Sequence, residues 1–198
     1  MSSSGSGGRA GRLIVISGPS GAGKTSVCQA LLERLPDAVW SVSATTRPER
    51  PGDVHGDSYE FVSDVEFKRR RDAGEFLETA EYVGHLYGTP RAPVEDAIAR
   101  GRSVILEIDV QGGMQVAARM PDSIRVFVLP PDMASLRARL EGRKTEAEAQ
   151  LKRRLAQADG EIAAARDSGV YDHFVVNDVL ERTIDDVVRI ILAEREQT

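Results

Sequence analysis

Gly18, Gly23, Lys24 and Thr25 stand at the spacing G-x-x-x-x-G-K-[ST], and that combination points to the binding of nucleotide phosphates. Glycines at 18, 21 and 23 let the backbone take positive φ and bring its N–H groups within bonding distance of phosphate oxygens. A helix starting there adds the partial positive charge of its N-terminus. Lys24 can reach the β- and γ-phosphates, and Thr25 offers a hydroxyl to Mg²⁺. The alternative is an ordinary glycine-rich turn, and the flanking context argues against it. Leu13-Ile14-Val15-Ile16 reads as a strand buried on both faces, and a helical pattern follows the loop.

The rest of the chain must position that loop. Its 198 residues suffice for one domain, or one core with inserted subdomains, around a sizeable hydrophobic interior. No apolar run approaches membrane-spanning length. Residues 1–12 are Ser/Gly-rich without an apolar stretch, which reads as a disordered tail rather than a signal peptide. The single cysteine, Cys28, falls on the apolar stripe of the helix after the loop, as a small buried hydrophobe. No intrachain disulfide is possible, which fits a reducing cytoplasm. With 31 acidic against 26 basic residues the net charge is −5 and there is no long basic stripe, so nucleic acid is disfavoured as the main partner. Small anions would need a local arginine cluster to overcome this field.

Val27, Cys28, Leu31, Leu32 and Leu35 fall at helical spacing up to Pro36. Trp40–Ala44 alternates like a strand, Thr45–Asp57 is an Arg/Pro/Gly-rich loop, and Tyr59–Val62 reads as a short strand. Ser63 and Glu66 form a capping box for a helix that Gly74 closes. Glu75–Val83 alternates, with Phe76, Glu78, Ala80 and Tyr82 on one face. A helix runs from Pro93 to Gly101, and Val104–Asp109 is an apolar strand ending in a carboxylate. Ile124–Leu129 is another strand, and Asp132 caps a helix that Gly142 ends. Thr145 and Glu148 open a long helix, Phe174–Val176 is a strand, and Thr183 caps the last helix. There is no internal repeat. Buried strands alternating with helices imply an α/β fold, an open and mostly parallel sheet with helices on both faces. The stretch from about Ser43 to Thr89 breaks that rhythm and reads as an inserted mixed α+β lobe. Asp132–Arg166, helical and rich in arginine, reads as a mobile lid.

Further segments follow the phosphate loop in order: Thr-Thr-Arg-x-x-Arg-x-Gly (45–52), Glu-Phe-Leu-Glu (75–78) and Tyr-Gly-Thr (87–89). Ile-Leu-Glu-Ile-Asp-Val-Gln-Gly (105–112) and Arg-Leu-Glu-Gly-Arg (139–143) come after them. From Leu13 onward the sequence resembles guanylate kinase, the ATP:GMP phosphotransferase. The resemblance implies a P-loop NTPase core (13–42, 90–131 and 167–198), a GMP-binding lobe (about 43–89) and a helical lid (about 132–166). It also implies site roles. ATP would lie on Gly18-Pro19-Ser20-Gly21-Ala22-Gly23-Lys24-Thr25-Ser26, with Asn177 near the adenine. Arg47 and Arg50 would hold the GMP phosphate, whose oxygens a guanidinium fork binds in bidentate fashion, joined by the hydroxyls of Tyr59 and Tyr87. Glu78 and Asp109 would read the guanine with Ser43 and Thr89. Arg139, Arg143 and Arg154 would close over the transferred phosphoryl group, although a solvated helix face also suits Arg154 beside Lys152 and Arg153. Lys144 stands where glycine is common in the family, and Glu107 where aspartate is also used.

No general base is required, because the nucleophile is a phosphate oxygen whose second pKa is near ~6. His55, His85 and His173 are accordingly read as structural or surface residues. The implied partners are ATP, GMP and Mg²⁺, with no nucleic acid or membrane, for a monomer or homo-oligomer. Two alternatives belong to other classes: a non-catalytic protein-interaction scaffold, which would be expected to have a damaged phosphate loop, and a kinase for another nucleoside monophosphate or a sugar phosphate. The intact loop speaks against the first and the two carboxylates against the second.

Overall fold

The unbroken apolar run near the start forms β1 (Leu13–Ser17), with every side chain buried, as a strand covered on both faces requires. The computed structural model describes residues 11–57, 59–141 and 148–196. After β1 come α1 (Lys24–Arg34), β2 (Ala38–Trp40), β3 (Ala44–Thr45), β4 (Glu60–Phe61) and α2 (Asp64–Asp72). β5 (Phe76–Tyr82), β6 (His85–Pro90), α3 (Arg91–Ala99), β7 (Ser103–Glu107) and α4 (Val110–Arg119) follow. The chain continues through β8 (Ile124–Leu129), α5 (Met133–Glu141), α6 (Glu148–Ser168), β9 (His173–Val176) and α7 (Leu180–Glu196).

Five strands pair in the order β2-β7-β1-β8-β9, all parallel. Alternate residues of β1 serve opposite layers. Ile14 and Ile16 pack with Val27 and Leu31 of α1 and with Val187 and Ile191 of α7. Leu13 and Val15 pack with Val94 of α3 and Val116 of α4. Helices thus cover both faces, and the carboxyl ends of the strands are left as the place for a ligand. Cys28 belongs to the first layer, and burial pushes its thiol well above the usual range. Among the described residues no helix is long and apolar enough to cross a membrane.

A second, four-stranded sheet has the order β4-β3-β6-β5, with β3 and β4 parallel and the other pairs antiparallel. Its small core joins Ala44, Phe67 and Phe76, the two rings stacked with centroids 4.6 Å apart. Ser63 accepts the Glu66 amide at 3.2 Å and caps α2.

Several elements differ from the sequence expectation for physical reasons. The alternating run Trp40–Ala44 is not one strand. The Ser41 amide still bonds to Ile105 in the first sheet (3.0 Å), whereas the Ser43 carbonyl accepts from Glu60 in the second (3.0 Å). A register shift between Phe76 and Glu78 takes Phe76 out of the face shared by Glu78, Ala80 and Tyr82, and it packs on Phe67 instead. α3 starts at Arg91, before Pro93. Asp109 does not end a strand but caps α4, its carboxylate accepting from the Gly112 amide at 2.8 Å. α4 carries no clear helical signal in its sequence, because Gly112 and Gly113 are poor helix formers. Packing explains them: a Cβ at Gly113 would collide with the Tyr171 hydroxyl. Thr183 lies inside α7, its hydroxyl turned toward Asn177 Oδ1 (3.2 Å) and the Val179 carbonyl (3.1 Å). Gly11 and Arg12 are not tail. Gly11 is buried, and the Arg12 guanidinium donates to the Asp122 carbonyl at 2.7 Å. Residues 1–10, Gly142, Arg143, Lys144 and Thr145 lie outside the described residues.

Candidate active site

The loop between β1 and α1 folds around the Lys24 ammonium. Nζ donates to the carbonyls of Gly18 (2.6 Å) and Pro19 (3.2 Å). Burial pulls this ammonium below its ordinary pKa, while Glu107 and Glu161 pull the other way. Gly23 caps α1 at φ 94°, a left-handed conformation in which a side chain is strained, and a Cβ there would also run into Asn177 Nδ2. Asn177 fills that space. Its Nδ2 donates to the Ala22 carbonyl (2.7 Å) and its Oδ1 accepts from Thr183 (3.2 Å). Arg139 donates to the Asn177 carbonyl at 2.8 Å. Both ends of the Asn177 amide are therefore committed to protein partners. Arg154 reaches from α6 to Ser20 Oγ at 2.7 Å, and Thr25 Oγ1 donates to Glu107 Oε1 at 2.9 Å. Ser26 is exposed on the first turn of α1.

Beyond the strand ends a cleft of about 700 Å³ lies between the two sheets, lined by Ser43, Arg47, Arg50, Tyr59, Glu78, Tyr87 and Asp109. A second cavity of about 600 Å³ shares Ser43, Tyr59 and Asp109 with it and reaches Lys24 and Thr25. A third, of about 360 Å³, is lined by Gly18, Ser20 and Lys24 on the loop side and by Arg154 and Glu161 of α6. The three cavities meet at Asp109 and Tyr82, which line them all.

Part of the cleft lining is cationic. Arg47 is 7% exposed, its guanidinium 5.2 Å from the centroid of the Tyr59 ring and 5.4 Å from that of Phe61. Nη1 donates to Asp53 Oδ2 (2.9 Å) and to the Pro48 carbonyl (2.8 Å). Asp53 Oδ2 also accepts the Arg50 amide at 2.7 Å. The Arg47 guanidinium and the Arg50 amide hold the Asp53 carboxyl below the usual range. Tyr59 and Tyr87 meet edge to face, with centroids 6.0 Å apart.

Another part is acidic. Glu78 is 4% exposed, and Oε1 accepts from the Thr89 hydroxyl at 2.7 Å. Thr89 is fully buried and stands behind Glu78, not on the cleft wall. Burial pushes the Glu78 carboxyl up to about 7; the Thr89 hydrogen bond opposes this and the Asp109 charge adds to it. Between about 7 and the ordinary 4.5, folded Glu78 keeps a proton that unfolded Glu78 loses, so this group makes the protein more stable as pH falls through that window. Glu78→Gln removes the buried charge. Its melting temperature should exceed that of the parent at pH 8, with the gap closing toward pH 5. Melts that coincide at pH 8 would show that the carboxylate carries no burial penalty.

Asp53, Glu107 and Glu161 join the site without having been singled out for it. Asp53 had a readable signal, an acidic side chain three residues after Arg50 in a Pro/Gly turn, where it bonds back to the backbone. Glu161 had none, since only folding brings α6 over the loop. His85 lines the cleft. His173 pairs with Glu194 at 3.0 Å, and His55 Nδ1 accepts the Phe61 amide at 3.3 Å. Arg143 falls outside the described residues.

Residues 10–194 match the family model described as guanylate kinase. The guanylate kinase of Symbiobacterium thermophilum is 48% identical over 95% of this chain and 88% of its own length. That of Rubrobacter xylanophilus is 50% identical over 92% of this chain and 94% of its own. The crystal structure of guanylate kinase from Anaplasma phagocytophilum aligns with a TM-score of 0.73 at 36% identity, covering 94% of this chain and 87% of that one.

Proposed function

This chain belongs to the guanylate kinase family and transfers a phosphoryl group from ATP to GMP, and from that premise we propose how its residues divide the work. The observation that carries the reading is one cleft lined by Arg47, Arg50, Tyr59, Tyr87, Glu78 and Asp109, joined to a cavity that shares Ser43, Tyr59 and Asp109 with it and is lined by Lys24 and Thr25. The arginines and tyrosines hold the GMP phosphate, and Ser43, Glu78 and Asp109 read the base, with Thr89 fixing Glu78 from behind. Residues 18–26 cradle the ATP phosphates. Asn177 braces that loop through Ala22. The segment of about 43–89 is the GMP-binding lobe, about 132–166 the lid, and 13–42, 90–131 and 167–198 the core, and a lone buried Cys28 accords with a reducing cytoplasm.

The acceptor needs no base to activate it, because GMP's phosphate is already largely ionised near neutral pH. What the chain supplies is alignment of two anions and neutralisation of the charge between them. Arg47 and Arg50 hold one phosphate against the Lys24 loop that holds the other, and Arg139, Arg143 and Arg154 bring further positive charge from the lid. The Thr25 hydroxyl and Glu107 carboxylate are hard oxygen donors 2.9 Å apart at the loop, a donor set that suits Mg²⁺. When bound there, the ion would neutralise charge on the ATP phosphates.

ADP release from ATP with GMP, AMP, UMP or CMP as acceptor tests this division. Turnover should be confined to GMP, with the other three slower by about 10³-fold or more, since a polar site rejects a mismatched edge strongly. Comparable rates with AMP would overturn the roles of Glu78 and Asp109.

A further inference from the structure

Among the described residues β5 is an edge strand, so its outer backbone groups have no strand there to pair with. The described structure supplies a substitute from α4. The Thr79 amide donates to Gln115 Oε1 at 3.1 Å, and Gln115 Nε2 donates to the Thr79 carbonyl at 3.0 Å. A carboxamide presents a donor and an acceptor side by side and so reproduces the pairing of a neighbouring strand. One turn further along the helix, Arg119 Nη1 donates to the Leu77 carbonyl at 2.9 Å. The two anchored residues flank Glu78. The same helix begins at Asp109, whose carboxylate is fixed on the Gly112 amide. Gly112 leaves room for the strand: a Cβ there would stand 3.2 Å from Glu78 Oε2.

We propose that Gln115, assisted by Arg119, is a positioning residue for the acceptor base, acting through the β5 backbone to set where Glu78 stands relative to Asp109. One rigid helix then carries the first carboxylate at its N-cap and grips the strand bearing the second. Leu77 is already seated in the core with Val94 and Val116, so β5 has an apolar anchor of its own and the carboxamide pair is left to fix its fine position. The inference rests on the reading that these two carboxylates bind guanine.

The test is steady-state kinetics and thermal melting of Gln115→Met, Glu78→Gln and the double variant. Methionine keeps the length of the side chain and loses both hydrogen bonds. Gln115→Met should raise KM for GMP about tenfold, the scale of a small misplacement of a contact group. KM for ATP should stay within twofold, and in the Glu78→Gln background the same change should add little. If Glu78→Gln impairs GMP use while Gln115→Met leaves KM for GMP within twofold, the positioning role is overturned and base reading stands. If Gln115→Met raises both KM values, and does so equally in either background, the residue only supports the fold. If Glu78→Gln leaves KM for GMP unchanged, base reading fails and the inference falls with it.

Discussion

Replacing Lys24 with alanine should leave a folded protein whose turnover is lower by about 10²-fold or more, the usual cost of removing a charge aimed at the developing transition state. The structure gives reasons for both halves of that expectation. In the described structure the ammonium donates to the Gly18 and Pro19 carbonyls, inside a loop that lies open to the cavity shared with Arg154. It is held there against its own desolvation, which pulls its pKa down. Alanine relieves that penalty, so stability should not suffer, while the phosphates lose the cation nearest to the loop's amide groups. Coupled turnover measurements and a thermal melt separate the two effects. Near-parental turnover in a folded variant would remove Lys24 from the reaction.

The second large effect belongs to Glu78. Guanine offers N1–H and N2–H₂ as donors along one edge, whereas adenine presents an unprotonated N1 there. An ionised carboxylate accepts from the first and repels the second. Glu78→Leu should lower kcat/KM for GMP by at least about 10²-fold, through loss of charge-assisted hydrogen bonds. It also strands the Thr89 hydroxyl, which now donates to Oε1 at 2.7 Å. The already low kcat/KM for AMP should hardly move. The GMP/AMP ratio in the parent and the variant decides: if both substrates fall by one factor, Glu78 supports the lobe and does not select the base.

How far the chain could be read depended on whether a feature was local. The phosphate loop, β1 and the cap of Ser63 on α2 are set by neighbours in sequence, and they stand where their residues predicted. α4 was not legible. Its two glycines argue against a helix, and the reason for them lies far along the chain, in Tyr171 and in Glu78 on the other sheet. The run Trp40–Ala44 misled in the opposite way. Its alternation is real, but it belongs to two sheets, and only tertiary pairing shows where one ends. Within the candidate site, the family resemblance pointed to Arg47, Arg50 and Glu78, whereas the commitment of Asn177 to Ala22 and Thr183 needed the path of the whole backbone.

The strand order bears on how this molecule is made. β1 and β2 are consecutive in the chain, yet β7 lies between them, and β8 flanks β1 on its other side. A growing polypeptide that carries the nucleotide loop therefore has no partner for that strand until residues 103–107 and 124–129 have been synthesised. The smaller sheet, by contrast, is complete once Pro90 has emerged. Closing the long separation across β1 is the slow, entropically costly event. Vectorial synthesis thus makes the smaller sheet first, and the strand that carries the nucleotide loop is enclosed only when later strands arrive.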